Sequence, residues 1–232
     1  MAVAGVLEMC YNALHKSGGE NIIISPQDLV NNYLTNDEVE HLRDNPRYLE
    51  HLGVTGLDHK DCYGASSYMV LKWVLEKGCM IEEKCPFVGS RQPNSIGREP
   101  MFKFETLKPV FPKDMWEEVE NQPIVADVIV TSEFTDLGSD DIYVGPDDPS
   151  DIDDIGMTHT VLIVGRVTKT DGGRLEEYYI VKNSWGTDWA NGGYGKISRK
   201  PYKLKEVVDG KHKTSEYDLL HNGVFPVNVY SL

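Results

Sequence analysis

The stretch that decides the fold runs from Lys182 to Gly195 and reads KNSWGTDWANGGYG. It begins where the apolar and β-branched run 178–182 ends, so Asn183 is predicted to lie at the end of a strand. Glycine, asparagine and aspartate then separate this run from the next one, 194–197, which predicts another strand. A polar amide at a strand end can hydrogen-bond a side chain on a neighbouring strand, and the preceding strand in the chain is the first candidate.

That preceding strand is predicted over 160–164, with His159 at its head, and the segment Thr170-Asp171-Gly172-Gly173 between the two runs is a strong turn signal. An antiparallel hairpin centred on Asp171 would place His159 directly opposite Asn183. The Cβ atoms of such a pair lie about 5 Å apart, so the amide can hydrogen-bond the imidazole and fix its tautomer. This predicts a general base with its orienting group. The alternative is a core histidine capped by a strand-end asparagine.

The residues around both positions resemble those of one family. The stretch 182–195 closely resembles the asparagine motif of papain-like cysteine peptidases (peptidase C1, cathepsin-like), in which the tryptophan at Trp185, beside Ser184, shields the His–Asn hydrogen bond from water. The segment 158–165, THTVLIVG, is similar to the family's histidine strand. Weaker likenesses occur at 142–146 (IYVGP), 122–124 (QPI), 25–30 (SPQDLV) and 61–65 (DCYGA). The resemblance spans nearly the whole chain.

The resemblance implies an α+β fold with two lobes: a helical left lobe over 1–108 and an antiparallel, β-barrel-like right lobe over 109–232 that carries the histidine and the asparagine. It implies a monomeric peptidase that binds a peptide or protein substrate in the interlobe cleft. His159 and Asn183 are the catalytic candidates, and Ser184 and Trp185 support them. Four positions are implied to bind substrate: Gly64, Ala65, Thr158 and Thr160.

The chain departs from the family pattern at several of these positions. The family's nucleophilic cysteine begins the helix that matches 2–8 here, so it would lie a few positions before Met1. Ala65 replaces a glycine of the substrate-pairing loop, and Thr158 stands where many members carry an acid or an asparagine. Two functions are therefore considered: a cysteine-type endopeptidase whose nucleophile is missing from this chain, and a catalytically inactive homologue that binds peptides or peptidases.

The four cysteines do not fill the place of the missing nucleophile. Cys10 lies on an apolar helical stripe well over 10 Å from the expected position, so it is predicted to be an inert core thiol. Cys62 matches a family half-cystine whose partner is absent, and it is expected to be unpaired. Cys79 and Cys85 have no evident family partner and are interpreted as plain thiols.

Composition narrows the possible partners. The 232 residues carry a net charge of −14, from 23 basic and 37 acidic side chains, which argues against nucleic acid as a partner. No apolar run is long enough to span a bilayer, and the chain as written begins without a signal peptide. Four unevenly placed cysteines and the lack of an N-x-S/T sequon fit a reducing or neutral compartment, so the chain as written reads as cytosolic, whereas the family is typically lysosomal, vacuolar or extracellular; the localisation is left open. No cofactor or metal is expected. The segment 151–156 resembles a calcium loop, but Leu162 occupies its twelfth position and a solvated acidic loop is the preferred interpretation.

Local patterns predict the elements on which these residues lie. Helices are expected over 1–16, ending at Gly18-Gly19, from Ser25 to about Tyr33, and from near Ala65 to Gly78. Strands are expected at 124–131, 160–164, 177–182 and 194–197. The segment from Pro86 to Pro109 is expected to be irregular and to connect the two lobes.

Overall fold

The computed structural model describes residues 1–15, 21–45, 53–55, 57–92, 97–146, 158–208 and 211–232. The expected helix stop at Gly18-Gly19 and the candidate calcium loop at 151–156 lie outside these ranges. The chain divides into two compact units. Unit 1 contains Met1, 3–108 and 226–232, and unit 2 contains Ala2 and 109–225, so the last seven residues return to the first unit.

Unit 1 is mostly helical. Its helices are α1 (Ala2–Leu14), α2 (Pro26–Asn32), α3 (Asn36–Asp44) and α4 (Ser67–Lys77), and its strands are β1 (Val54–Thr55), β2 (Gly64–Ala65) and most of β3 (Phe102–Val110). The helix predicted from Ser25 is confirmed, because the Ser25 side chain accepts a hydrogen bond from the Asp28 backbone N–H at 3.0 Å and Pro26 stands in the first turn. The predicted end of α4 is confirmed too, at Gly78 with φ of 72°.

Two elements of unit 1 differ from expectation. Helix α3 was not predicted, although Thr35 and Glu38 form a complete capping box at its start. The segment expected to be irregular contains β3, with Pro109 inside the strand. Proline lacks a ladder N–H, but β3 lies at the end of its sheet, where an unpaired position costs little.

A buried ion pair fixes α2 to the end of α4. Asp28 is fully buried, and its two carboxylate oxygens accept hydrogen bonds from Arg98 Nε at 2.9 Å and from the Met80 N–H at 3.0 Å. Arg98 also donates to the carbonyls of Lys77 and Gly78, the last residues of α4 and its cap. The guanidinium therefore satisfies both the buried carboxylate and the orphan carbonyls of a helix end.

Unit 2 is built mainly on one large sheet. Its helices are α5 (Pro112–Glu118) and α6 (Ser132–Thr135), and its strands are β4 (Ile124–Ile129), β5 (Ile142–Tyr143), β6 (Thr158–Asp171), β7 (Arg174–Lys182), β8 (Tyr194–Ser198), β9 (Tyr202–Val208), β10 (Lys211–Tyr217) and the first half of β11 (Leu220–Ser231). The order of the large sheet is β3-β11-β4-β6-β7-β8-β5, and among the described strands β9 pairs with β10 in a separate sheet. All four predicted strands are present, whereas β9, β10 and β11 were not predicted.

The sheet refines the antiparallel, β-barrel-like right lobe that was expected, because one pair of its described strands is parallel and these strands do not close into a barrel. Strand β5 pairs with β8 in parallel, and the described strands form an open sheet with β5 at one edge. Strand β5 has only two residues, so it can cover part of an edge but cannot join the sheet into a closed barrel. The broader α+β assignment is correct.

The register of the β6–β7 hairpin corrects the predicted pairing. The turn is Gly172-Gly173, both with positive φ, so Asp171 faces Arg174 and the hairpin is not centred on Asp171. A bulge between Ile163 and Gly165 then shifts the register by one residue, and the last pair is Leu162 with Lys182. The expectation that His159 lies directly opposite Asn183 is therefore wrong.

Candidate active site

Two different backbone elements bring His159 and Asn183 together. His159 is the second residue of β6 and pairs across the sheet with Val128 of β4. Asn183 follows the last residue of β7, and its backbone N–H donates to the carbonyl of Gly193 at 2.9 Å. This bond closes the loop 183–193, in which Gly186, Gly192 and Gly193 have positive φ. This loop, and not the register of the hairpin, therefore places Asn183 beside His159.

The two side chains form a hydrogen bond. His159 Nε2 lies 2.8 Å from Asn183 Oδ1, and the same oxygen accepts the Ser184 backbone N–H at 2.7 Å. An amide oxygen can only accept, so Nε2 carries the proton in this arrangement and Nδ1 keeps the lone pair. The asparagine thus selects one tautomer and leaves Nδ1 as the basic nitrogen.

The amide nitrogen of Asn183 has no comparable role. Asn183 is 8% exposed, and its Nδ2 is buried without a hydrogen-bond partner among the described residues. An unpaired buried donor costs about 1–3 kcal/mol. Because Oδ1 accepts two hydrogen bonds while Nδ2 makes none among the described residues, Asn183 serves this site as a hydrogen-bond acceptor.

An aromatic cluster surrounds the pair. The Trp185 ring lies 4.6 Å from the His159 ring, and Trp185 is itself 41% exposed, so it stands between the imidazole and solvent. Behind it, Phe134 of α6 lies 5.6 Å from Trp185 and 5.2 Å from Trp189, whose indole N–H donates to the Phe134 carbonyl at 3.0 Å. Phe134 was not singled out from sequence, because a phenylalanine in a four-residue helix carries no distinguishing pattern.

The electrostatic environment of His159 combines opposing effects. Burial lowers the pKa of His159 and is the largest influence, while the hydrogen bond to Asn183 and the negative charge of Asp127 oppose it. The net direction favours the neutral imidazole, which is the form that can accept a proton.

Asp127 is a site residue that sequence reasoning missed. It lies on β4 opposite Thr160, and its carboxylate accepts hydrogen bonds from Thr160 Oγ1 at 2.9 Å and from Asn222 Nδ2 at 3.0 Å. An acid amid the apolar run 124–130 was the available signal. The Thr160 hydroxyl, a predicted substrate contact, is engaged by this carboxylate.

The other predicted substrate-binding residues occupy two regions. Thr158 is the exposed first residue of β6 and pairs with Ile129. Gly64 and Ala65 form β2 in unit 1, where they pair with β1 and Ala65 packs against a small core cluster. Their roles in substrate binding stay predictions.

The surroundings of all four thiols disfavour the thiolate form. All four are free, Cys10, Cys79 and Cys85 are buried, and burial raises the pKa of every one of them, to about 12 for Cys10 and Cys79. A thiolate is the reactive form, so these cysteines are overwhelmingly protonated at neutral pH. Cys10 is buried in the core as expected, and its lack of reactivity stays a prediction.

The described ranges contain neither a membrane-spanning helix nor a metal-binding cluster. No helix in them is long and apolar enough to cross a membrane. No group of three or more His, Cys, Asp and Glu side chains in the same ranges is arranged to hold a metal ion.

The fold and the His–Asn pair define a papain-like α+β protein. The chain belongs to the papain family: the family profile described as "Papain family cysteine protease" matches residues 1–210. It is 38% identical over 81 residues to cysteine endopeptidase Rep1 of Oryza sativa subsp. japonica, covering 35% of this chain and 19% of that protein. It is 26% identical over 139 residues to a cysteine proteinase of Theileria annulata, covering 60% of this chain and 30% of that one.

Solved structures agree on the fold. The bromelain protease from Ananas comosus in complex with the E64 inhibitor matches with a TM-score of 0.62 and 19% identity, covering 98% of this chain and 86% of that one. The ragweed pollen protease Amb a 11 in its proform matches with a TM-score of 0.64 and 19% identity, covering 98% of this chain and 57% of that one. The alignments with the two curated relatives span 19% and 30% of those proteins' lengths.

Proposed function

We propose that this chain supplies the base and its orienter to a cysteine-type endopeptidase that hydrolyses peptide bonds. The observation that carries the proposal is the 2.8 Å contact between His159 Nε2 and Asn183 Oδ1. It leaves Nδ1 as the base, with Trp185 covering the imidazole and the Ser184 N–H holding the asparagine oxygen.

The chemistry follows from that tautomer. Nδ1 takes the proton of a cysteine thiol, and the thiolate attacks the carbonyl carbon of the scissile peptide bond. The imidazolium returns the proton to the leaving amine, which gives a thioester. Water then attacks the thioester with Nδ1 again as base, and the acid product leaves as the thiol is restored. Asn183 keeps the ring oriented while its charge changes.

The thiol itself must come from outside the four cysteines of this chain, because burial raises the pKa of each. The proposal therefore requires a cysteine in sequence preceding Met1, at the start of the helix that continues as α1. Gly64, Ala65, Thr158 and Thr160 are proposed to contact the peptide substrate of a monomeric enzyme.

The test begins with the transcript. Sequencing upstream of the Met1 codon is expected to reveal Cys-Trp codons, and the longer product is expected to cleave a fluorogenic peptide and to be labelled stoichiometrically by a thiol-directed peptidase inhibitor. His159→Ala in that product should abolish turnover, whereas Lys72→Ala, an exposed change in α4, should not. An upstream sequence without cysteine, or turnover that survives His159→Ala, would contradict the proposal.

The second candidate is a catalytically inactive homologue that binds peptides or peptidases. The observation that favours it is the state of the thiols, since the chain has a base and no thiolate to act with it. It predicts that the 232-residue chain retains an unhydrolysed peptide and does not turn over. Turnover with stoichiometric labelling of this chain would exclude it.

A further inference from the structure

Unit 2 contains a cavity that the proposed chemistry does not use. It has a volume of about 220 Å³ and lies among α5, β7, the end of β8 and the start of β11. This is roughly seven times the ~30 Å³ that one water occupies in the liquid, so the cavity is large enough for a small organic molecule. On β6, Arg166 pairs with the cavity residue Tyr179 and lies seven residues beyond His159, roughly 23 Å along the strand.

The inner wall of the cavity is apolar and rigid. Trp116 and Tyr179 meet edge to face with ring centroids 5.2 Å apart, and both are at most 5% exposed. Met115 and Leu219 complete this wall and are also buried. Such a surface favours an aromatic or branched aliphatic group, because burying it removes apolar area from water.

The nearby arginines are already neutralised. Arg199 and Arg166 stack on the Trp116 ring with Cζ at 4.5 Å and 5.0 Å from its centroid. Arg199 forms an ion pair with Glu177 at 2.9 Å, and Arg166 forms ion pairs with Glu117 and Glu120. Both guanidiniums thus hold the indole in place, and neither contributes an uncompensated charge.

Two charges in the cavity lining have no such partner. Lys113 on α5 and Asp218, just before β11, both line the cavity, and neither forms an ion pair or hydrogen bond with any described residue. The lining therefore offers one positive and one negative group that are not paired with each other.

A tyrosine hydroxyl accompanies these charges. Tyr179 is 5% exposed and lines the cavity, and its hydroxyl forms no hydrogen bond within the described part of the chain. Burial raises the pKa of Tyr179 to about 12, so the group is a neutral phenol and a donor at neutral pH. A hydroxyl that lines the cavity and has no partner in the described part of the chain can donate to a ligand.

We propose that this cavity binds a free α-amino acid with an apolar side chain. The carboxylate is placed toward Lys113 and the Tyr179 hydroxyl, the ammonium toward Asp218, and the side chain against Trp116, Met115 and Leu219. A zwitterion with an apolar body matches one unpaired cation, one unpaired anion, a phenol donor and an aromatic wall. A purely anionic or purely cationic ligand would leave one of the two charges unmatched.

The experiment uses three ligands that differ by one charged group. The full 232-residue chain is titrated with L-phenylalanine, 3-phenylpropionate, which lacks the ammonium, and phenethylamine, which lacks the carboxylate. Binding is followed at the indole N–H of Trp116, one of four tryptophan signals, and by calorimetry. L-Phenylalanine is expected to bind more tightly than either analogue, and the Trp116 signal is expected to move most.

Substitutions assign each charge. Lys113→Met is expected to weaken L-phenylalanine and 3-phenylpropionate about two- to fivefold and to leave phenethylamine unchanged, the range typical of exposed charge pairs. Asp218→Asn is expected to weaken L-phenylalanine and phenethylamine and to leave 3-phenylpropionate unchanged. Tyr179→Phe removes the phenol donor and, like Lys113→Met, is expected to weaken L-phenylalanine and 3-phenylpropionate and to leave phenethylamine unchanged.

The matched control is Lys72→Met, which removes an exposed positive charge in unit 1 and should change none of the three affinities. Equal losses for all ligands in a cavity variant would overturn the assignment of the charges. Absence of any change at Trp116 with L-phenylalanine would overturn the site. Neither outcome bears on peptide hydrolysis, because His159 takes no part in this measurement.

Discussion

Replacing Asn183 gives the most direct test of how the site is organised. Asn183→Ala removes the oxygen that accepts from His159 Nε2 at 2.8 Å and from the Ser184 N–H at 2.7 Å. Without that acceptor, nothing in the described site fixes the proton on Nε2, so the ring should populate both neutral tautomers. The substitution also removes an influence that raises the pKa of His159, which should therefore fall further.

The stability change is small for a buried residue, and the structure explains why. Two hydrogen bonds at about 1 kcal/mol each are lost, but the buried and unpaired Nδ2 of Asn183 is removed as well, which returns about 1 kcal/mol. The net loss in the free energy of unfolding is expected to be about 1 kcal/mol. A larger loss would mean that His159 Nε2 and the Ser184 N–H, both left without an acceptor, add a desolvation penalty to the two lost bonds.

Asn183→Asp provides the matched comparison. It keeps the accepting oxygen, replaces the unpaired nitrogen with a second oxygen, and places a negative charge beside the imidazole, so the pKa of His159 should rise. Long-range ¹H–¹⁵N NMR of the imidazole rings reads both the tautomer and the titration. Ser184→Ala keeps its backbone N–H and should leave the ring unchanged. Shifts of the same sign in the Ala and Asp variants would refute the assigned orientation.

Three further outcomes are expected. Asp28→Asn leaves Arg98 without its counter-ion and should lower the free energy of unfolding by about 3–5 kcal/mol in denaturant titrations, whereas Asp140→Asn, at a fully exposed carboxylate, should have little effect. Asp127→Asn removes a charge that raises the pKa of His159, so the NMR titration midpoint should move to lower pH, and a midpoint at higher pH would contradict the role given to Asp127. Burial lowers the pKa of His159 in the folded protein, so its contribution to the free energy of unfolding is complete above the unfolded pKa of about 6.5 and is lost as the pH falls below that value. His159→Gln cannot titrate there and should lose less stability than the parent over that acid range. Equal losses in the two proteins would refute this reasoning.

Local sequence was sufficient for elements whose signals are self-contained. Ser25, Pro26 and Asp28 begin α2 as expected, because a cap is decided within one turn of chain. The capping box of Thr35 and Glu38 had the same information and was overlooked. Strand β3 was missed for a different reason, since its proline is tolerated only at the sheet edge, and edge position is set by the other strands.

The candidate site likewise has features that local sequence predicts and features that depend on the rest of the fold. The sequence by itself determined the papain-family α+β fold and the two residues that form the hydrogen bond, because the stretch 182–195 and the strand headed by His159 carry their signals locally. It could not determine the register, because the turn falls at Gly172-Gly173 and not around Asp171, and a bulge between Ile163 and Gly165 then shifts the remaining pairs by one residue.

Only the tertiary structure decided what surrounds the pair. Phe134 and Asp127 reach the site from α6 and β4, at sequence separations that no local pattern encodes. The tertiary structure likewise decided that each thiol has a raised pKa, because desolvation depends on the atoms packed around a group and not on its neighbours in the chain. The chain thus specifies its base and orienter by short motifs, while the protonation of its histidine and cysteines is set by packing.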